Sequence, residues 1–277
     1  MSIFEAAILG LIQGLTEFLP ISSSAHLRIA GDLAGWGDPG AAFTAIIQIG
    51  TELAVLVYFW NDIVRIISKW FRALPFHWKH PVPQDDPDVR MGWIVIIATI
   101  PIGVLGLLFQ DTIETSLRNL YITAFVLAAF GILLGVVDHY ARRERSLEQM
   151  TLRDGLIVGL GQALALIPGV SRSGGTITTA RLLGYDRDAA ARASFLLAIP
   201  AVLASGFFQL FKTAGNGTLD VAPTLVAAVI AFAVGYVVIV WFLKLITTKS
   251  FMPFVIYRVI LAACVVILLA TGALHVF

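Results

Sequence analysis

Six stretches of this chain are apolar over about 20 residues, the length an α-helix needs to cross the hydrocarbon of a bilayer. They run over residues 41–60, 91–110, 119–138, 192–212, 221–243 and 251–275. Backbone groups in lipid must be paired within the protein, and a helix does this along its own length. The expectation is an all-α integral membrane protein, with residues 1–277 as a single membrane domain. Composition agrees: only 13% of residues are charged, against about 25% in soluble domains. A net charge of +1 gives no basic excess for nucleic acid, so no such partner is expected. Cys264, the single cysteine, is expected to be a small buried hydrophobe. Glu5 stands where a signal peptide would carry a basic residue, so targeting by uncleaved spans is expected.

Two further apolar regions are too short to cross. Residues 3–19 stop at Pro20, and the following run, 20–35, carries His26, Arg28 and Asp32; residues 155–167 stop at Pro168-Gly169. Short hydrophobic pieces broken by Pro or Gly at matching places in two halves mark discontinuous helices at a binding site. Both regions therefore read as re-entrant helix-loop-helix hairpins, over 3–35 and 152–184, with tips at membrane depth inside protein. A shift of 149 residues lays Gly10, Gln13, Ser22, Ser24 and Gly35 on Gly159, Gln162, Ser171, Ser173 and Gly184. The Gln and Ser matches weigh most, because Leu and Gly recur by chance in such chains. The outline is an internal repeat, about 1–60 and about 150–212.

Three spans separate the repeats, so the second enters from the opposite side, an inverted topology. Basic residues fix the orientation. Arg65, Lys69, Arg72, Lys79 and Arg90 lie in one connection and Arg142, Arg143, Arg145 and Arg153 in another, while the opposite loops offer Arg118 and Lys212. The basic face is expected to be cytoplasmic, which leaves both termini outside. The Asp85-Asp86-Pro87-Asp88 cluster reads as a solvated turn.

The chemistry gathers at the two hairpins. Gln13 and Glu17 are four apart and share a helix face, and a carboxylate at this depth is costly unless paired or ligating an ion. Ser22, Ser23 and Ser24 follow Pro20 at an expected helix start, where hydroxyls cap and free N–H groups favour an anion. Ser23 and His26 are three apart, and a hydroxyl within reach of an imidazole can be activated as a nucleophile. The second hairpin offers Ser171, Arg172, Ser173, Gly174, Gly175 and Thr176. Its glycines let backbone approach a ligand. Arg172 has two candidate partners, a phosphate or Glu17 itself. Gln48 is placed to contact the hairpin, Glu52 to pair with an arginine such as Arg28, and Arg28 with Asp32 at the rim. For Arg258, snorkelling to the interface and a site role stand side by side.

These motifs resemble those of the bacitracin-resistance protein family of undecaprenyl-pyrophosphate phosphatases. That family carries an acid-or-Gln and acid pair four apart, here Gln13/Glu17. It also carries Pro-x-Ser-Ser-x-x-His, here Pro20 through His26, and Pro-Gly-x-Ser-Arg-Ser-Gly-x-Thr, here Pro168 through Thr176. The resemblance covers essentially the whole chain and implies six spanning helices plus two inverted re-entrant hairpins. It implies hydrolysis of C55 polyprenyl pyrophosphate to the monophosphate in the bacterial cytoplasmic membrane, with the site open to its outer face. That reaction recycles the lipid carrier for cell-wall synthesis and confers bacitracin resistance. Ser23 then resembles the nucleophile, Glu17 the essential acid, His26 an acid–base residue and Arg172 the phosphate clamp. Gln13, Ser22, Ser24, Gln48, Ser171, Ser173, Gly174 and Thr176 are expected to bind substrate. A divalent cation, Mg²⁺ or Ca²⁺, is expected on Glu17. Membrane lipid, the polyprenyl pyrophosphate and a second copy of the chain are the expected partners. Many family members have Glu where this chain has Gln13, and no role carries over to Glu52. The alternative is a polyprenyl-phosphate transporter using the same inverted-repeat site.

Overall fold

Each short apolar region breaks where proline prevents a further helical turn. The computed structural model describes residues 1–76 and 80–276, so Lys79 of the basic connection lies outside the described residues. In chain order the helices are α1 (Ile3–Thr16), α2 (Ser23–Leu33), α3 (Gly40–Tyr58), α4 (Trp60–Ala73), α5 (Pro87–Leu108) and α6 (Gln110–Glu114), then α7 (Leu120–Tyr140), α8 (Leu152–Ala163), α9 (Arg172–Leu182), α10 (Arg187–Gly215), α11 (Val221–Ile246) and α12 (Met252–Ala270). Among the described residues, six helices are long and apolar enough to cross a membrane: α3, α5, α7, α10, α11 and α12. The protein is an all-α, multi-pass membrane protein.

The two short pairs, α1 with α2 and α8 with α9, fold back on themselves as helix hairpins. Each second arm starts at a serine in left-handed backbone, Ser22 at φ 72° and Ser171 at φ 69°. Such a conformation costs a non-glycine residue about 1–3 kcal/mol and persists only where its surroundings impose it. The first arms dock reciprocally, α1 on α11 and α8 on α5. Glycine makes both contacts possible: a Cβ on Gly10 would lie 2.4 Å from the Ala227 carbonyl oxygen, and one on Gly159 2.6 Å from that of Ala98. Small residues of this kind let helices approach closely in lipid, where packing rather than water exclusion holds them together. In the rest of the bundle α3 packs on α10 and α7 on α12.

Phe18, one residue beyond Glu17, meets Phe195 edge-on at 5.4 Å. Phe195 in turn contacts Phe59 and Phe242, which ties the first hairpin tip to the central core. Large apolar side chains such as Leu107, Phe125, Phe211 and Ile260 are exposed on the spans, as expected of a lipid-facing surface. Cys264 is also exposed, which corrects the buried reading: the apolar run around it faces outward.

Other expectations change as well. The connection that carries Arg65, Lys69 and Arg72 holds the amphipathic helix α4. Its Lys69 bonds Asp86 and Asp88 at 2.9 and 2.8 Å, and Arg65 bonds Asp88 at 3.0 Å. The acidic cluster is thus a latch rather than a solvated turn, and Asp86 also caps α5 ahead of Pro87. Arg28 and Asp32 do not form the expected rim pair. Arg28 reaches Asp38 at 2.8 Å, and Asp32 bonds His275 at 2.8 Å. Arg118 joins Asp38 from across the chain. Burial opposes ionisation of Asp38, but hydrogen bonds from Arg118 and the Gly40 N–H, with the charges of Arg118 and Arg28, hold its carboxyl below the usual range. At the opposite end, Asp154 accepts from Arg145 at 2.6 Å and from Tyr185 at 2.7 Å. Asp138 likewise holds Arg187 at 2.7 Å and accepts from the Phe251 N–H at 3.1 Å. These knots anchor the bases of the hairpins and leave the tips to meet inside.

Candidate functional site

Glu17, just past the end of α1, is the hub between the tips. The Gln13 side-chain amide donates to its Oε2 at 2.7 Å, as the four-residue spacing predicts. Ser23 Oγ donates to the same oxygen at 2.6 Å. Its other oxygen, Oε1, accepts from Arg172 Nη2 at 2.7 Å. Residues from both hairpins therefore converge on one buried carboxylate. Ser173 adds a second link, its hydroxyl donating to the Leu19 carbonyl at 3.0 Å.

The serines repeat their geometry. Ser22 and Ser24 hydroxyls lie 3.3 Å apart, and Ser171 and Ser173 hydroxyls 3.1 Å apart. Only the second pair caps: Ser171 Oγ accepts from the Gly174 N–H at 3.2 Å, whereas Ser22 makes no side-chain cap bond. Thr176 turns inward to bond the Arg172 carbonyl, so its hydroxyl is engaged with its own helix. Gln48 stands half-buried one turn before Glu52 and outside this network. Gln162, the repeat counterpart of Gln13, is fully buried with neither amide atom hydrogen-bonded.

Three expectations for the site need correction. Ser23 does not bond His26. The left-handed turn at Ser22 sends Ser23 back towards Glu17, while His26 Nδ1 meets the Ser22 carbonyl at 2.8 Å and Nε2 the Tyr257 hydroxyl at 2.7 Å. A carbonyl only accepts, so Nδ1 carries the hydrogen, and in the neutral ring Nε2 accepts from Tyr257. Glu52 pairs not with Arg28 but with Arg172, at 3.8 Å. The glycines admit protein rather than open space: a Cβ on Gly174 would lie 3.0 Å from Arg258 Nη1, and one on Gly175 2.7 Å from the Gly161 carbonyl.

Arg258 does not snorkel. It is 0% exposed and spends its donors on carbonyls: Pro20 at 3.0 Å, Val170 at 3.1 Å, Gly169 at 2.7 Å and Leu127 at 3.0 Å. It therefore staples the first tip to the second and both to α7, over the two strained serine turns. An arginine inside an apolar run was the signal for this role. Tyr257, beside it in the chain, meets His26 across 231 positions, a contact that local spacing does not reveal.

Beside the hub lies an apolar groove of about 850 Å³ between the first hairpin, α11 and α12. Leu15, Ile29, Val237 and Trp241 line it, with His26 and Tyr257 on its wall. The hub also fits a hard cation in the chemistry of its donors. Gln13 Oε1 and Glu52 Oε1 are buried oxygens without a hydrogen-bond partner, as is the Nη1 donor of Arg172. Orphan oxygens suit a divalent ion, and an orphan guanidinium N–H suits phosphate.

The family described as "Bacitracin resistance protein BacA" matches residues 6–264. An undecaprenyl-diphosphatase of Kineococcus radiotolerans is 58% identical, over 100% of this chain and 97% of that protein. Undecaprenyl-diphosphatase 2 of Agrobacterium fabrum is 57% identical over 99% of this chain and 98% of its own length. The undecaprenyl-diphosphatase of Thermobifida fusca is 56% identical over 99% and 92%.

Proposed function

The chain belongs to the bacitracin resistance protein BacA family, and on that premise we propose that it hydrolyses undecaprenyl pyrophosphate to undecaprenyl phosphate and inorganic phosphate. The observation that carries this reading is the line Ser23–Glu17–Arg172, which joins a hydroxyl, its proton acceptor and a phosphate-matching fork at two facing helix starts. The relatives' names support it, and none of those names favours transport.

In this reading Arg172 exchanges Glu17 for the terminal phosphate, and the N–H groups at the starts of α2 and α9 share its charge. Ser23 Oγ passes its proton to Glu17 Oε2 and bonds to the terminal phosphorus as the bridging P–O bond breaks. The leaving group is the prenyl monophosphate. Water then cleaves the phosphoserine and releases inorganic phosphate. The prenyl tail lies in the apolar groove, so the leaving phosphate faces His26 and Tyr257, where the Tyr257 hydroxyl can turn from His26 Nε2 to the departing oxygen. Glu17 would hold a divalent cation, which supplies charge neutralisation on the phosphates. The rest is positioning and preorganised electrostatics.

The re-entrant, inverted arrangement of the hairpins belongs to the same proposal. It is supported by the reciprocal docking of α1 on α11 and α8 on α5 and by the twin serine turns. Basic side chains crowd the end of the bundle that carries α4 and Arg145. By the positive-inside rule that end faces the cytoplasm of the bacterial inner membrane, and the site opens outward. Met1, beside Asp220, and His275, beside Asp32, stand at the other end. A second copy of the chain remains the expected protein partner, read from the mass of the detergent-solubilised particle.

Phosphate release by purified protein from a polyprenyl pyrophosphate, with and without chelator, tests the reading. Ser23→Ala and Arg172→Ala should each lose about 10²–10³-fold or more in turnover. Near-normal release by either variant would remove that residue from its role.

A further inference from the structure

Glu52 has no part in the mechanism above, yet it is the third charged side chain of the hub. It projects from α3, a different element from either hairpin, and is 1% exposed. Its nearest cation is Arg172 Nη1 at 3.8 Å, too far for a hydrogen bond, while Glu17 already occupies the guanidinium at 2.7 Å. Two carboxylates thus face one available positive charge. The other buried arginine nearby, Arg258, has turned its donors to carbonyls. The oxygens left over are of one kind. Gln13 must point Nε2 at the Glu17 carboxylate, which only accepts, so its carbonyl Oε1 is turned elsewhere and has no donor. Glu52 Oε1 has none either. α1, which carries Gln13, packs on α3, which carries Glu52.

We propose that Glu52 is the second carboxylate of the site and, with Glu17 and the Gln13 carbonyl oxygen, forms an all-oxygen binding site for a divalent cation. An excess of buried carboxylate and unpaired acceptor oxygen is relieved by a hard cation more fully than by one guanidinium. Among the described residues no three His, Cys, Asp or Glu side chains form a closed cage. The remaining positions fall to water and phosphate oxygens, the arrangement Mg²⁺ commonly adopts. The diphosphatase reading enters only in naming that phosphate; the cation site stands on the three side chains.

The test is binding of Mn²⁺ alone to the purified, metal-stripped protein, followed by the electron-paramagnetic-resonance signal of free Mn²⁺ and by competition with Mg²⁺. Wild type should bind Mn²⁺ in competition with Mg²⁺. Glu52→Gln should weaken binding by about tenfold or more, since even outer-shell changes cost about 10–100-fold in metal affinity. Glu52→Asp, which keeps the charge on a shorter arm, should bind between the two. Glu144→Gln, at an exposed site, should bind as wild type does. Absence of Mn²⁺ binding by wild type, or unchanged affinity in Glu52→Gln, would overturn the proposal. If Glu52→Gln fails to fold, Glu52→Asp decides: weakened binding supports the site and unchanged binding overturns it. Phosphate release is measured separately. Glu52-dependent binding without diphosphate cleavage would keep the cation site and remove the diphosphatase reading; cleavage with binding indifferent to Glu52 would do the reverse.

Discussion

Replacing Arg258 with methionine keeps the length and buried volume of the side chain and removes every donor. Four carbonyls accept from the guanidinium. Leu127 lies within α7, so its carbonyl retains a helix bond and loses little. Pro20, Gly169 and Val170 lie outside helices, and no other hydrogen bond to their carbonyls is found among the described residues. Leaving a buried acceptor unpaired costs about 1–3 kcal/mol, and three such groups would sum to more than is expected here. The variant is also spared the desolvation of a buried cation, so a net loss of about 3–5 kcal/mol follows, at the lower end of what three unpaired acceptors cost. Activity should fall further than stability alone explains. The same bonds hold the turns that aim Ser23 and Arg172, and a displacement of about 1 Å at such groups costs on the order of 10²-fold in rate. Arg258→Lys keeps the charge, but its single ammonium cannot reach all three turn carbonyls, so it should recover part of the stability and less of the turnover. Unfolding in detergent and phosphate release, measured on the same preparations, check both statements. Arg258→Met with wild-type stability and turnover would refute the staple.

Gly174→Ala should push Arg258 Nη1 from 3.0 Å and destabilise by about 1–3 kcal/mol as an overpacked contact, read by thermal unfolding. Val237→Trp narrows the apolar groove; it should raise KM for a long-chain prenyl pyrophosphate and leave that for a short-chain one unchanged, and an equal effect on both would move the tail elsewhere. Asp38 has a folded pKa below its unfolded value. Its contribution to stability is therefore complete above the unfolded pKa, about 4, and is lost as pH falls below that value. Asp38→Asn should show a shallower acid loss of stability, and an unchanged acid limb would remove the Arg28–Asp38–Arg118 cluster as its source.

The parts legible in the sequence were those governed by local rules. Apolar length gave the six spans, and Pro20 and Pro168 gave the two breaks. The four-residue spacing of Gln13 and Glu17 produced a hydrogen bond as expected. Ser23 and His26 obeyed the same rule on paper, but helical spacing could not foresee the left-handed turn at Ser22, which points the hydroxyl at Glu17 instead. The partners of Glu52, Arg28 and Asp32 were misassigned for a different reason. Several opposite charges lay within plausible reach, and only tertiary packing selects among them. Helix α4 was hidden because its apolar residues, Ile63, Val64, Ile66, Ile67, Trp70 and Phe71, recur at helical spacing and form no continuous run of spanning length.

The most direct test of the central claim is to trap the intermediate. Protein is quenched during turnover of a polyprenyl pyrophosphate labelled on its terminal phosphate, and the labelled residue is identified by peptide mass spectrometry. An acid-stable phosphoserine at Ser23, absent from Ser23→Ala, is the expected result. Label on His26, lost in acid, or turnover without any phosphorylated residue would contradict it.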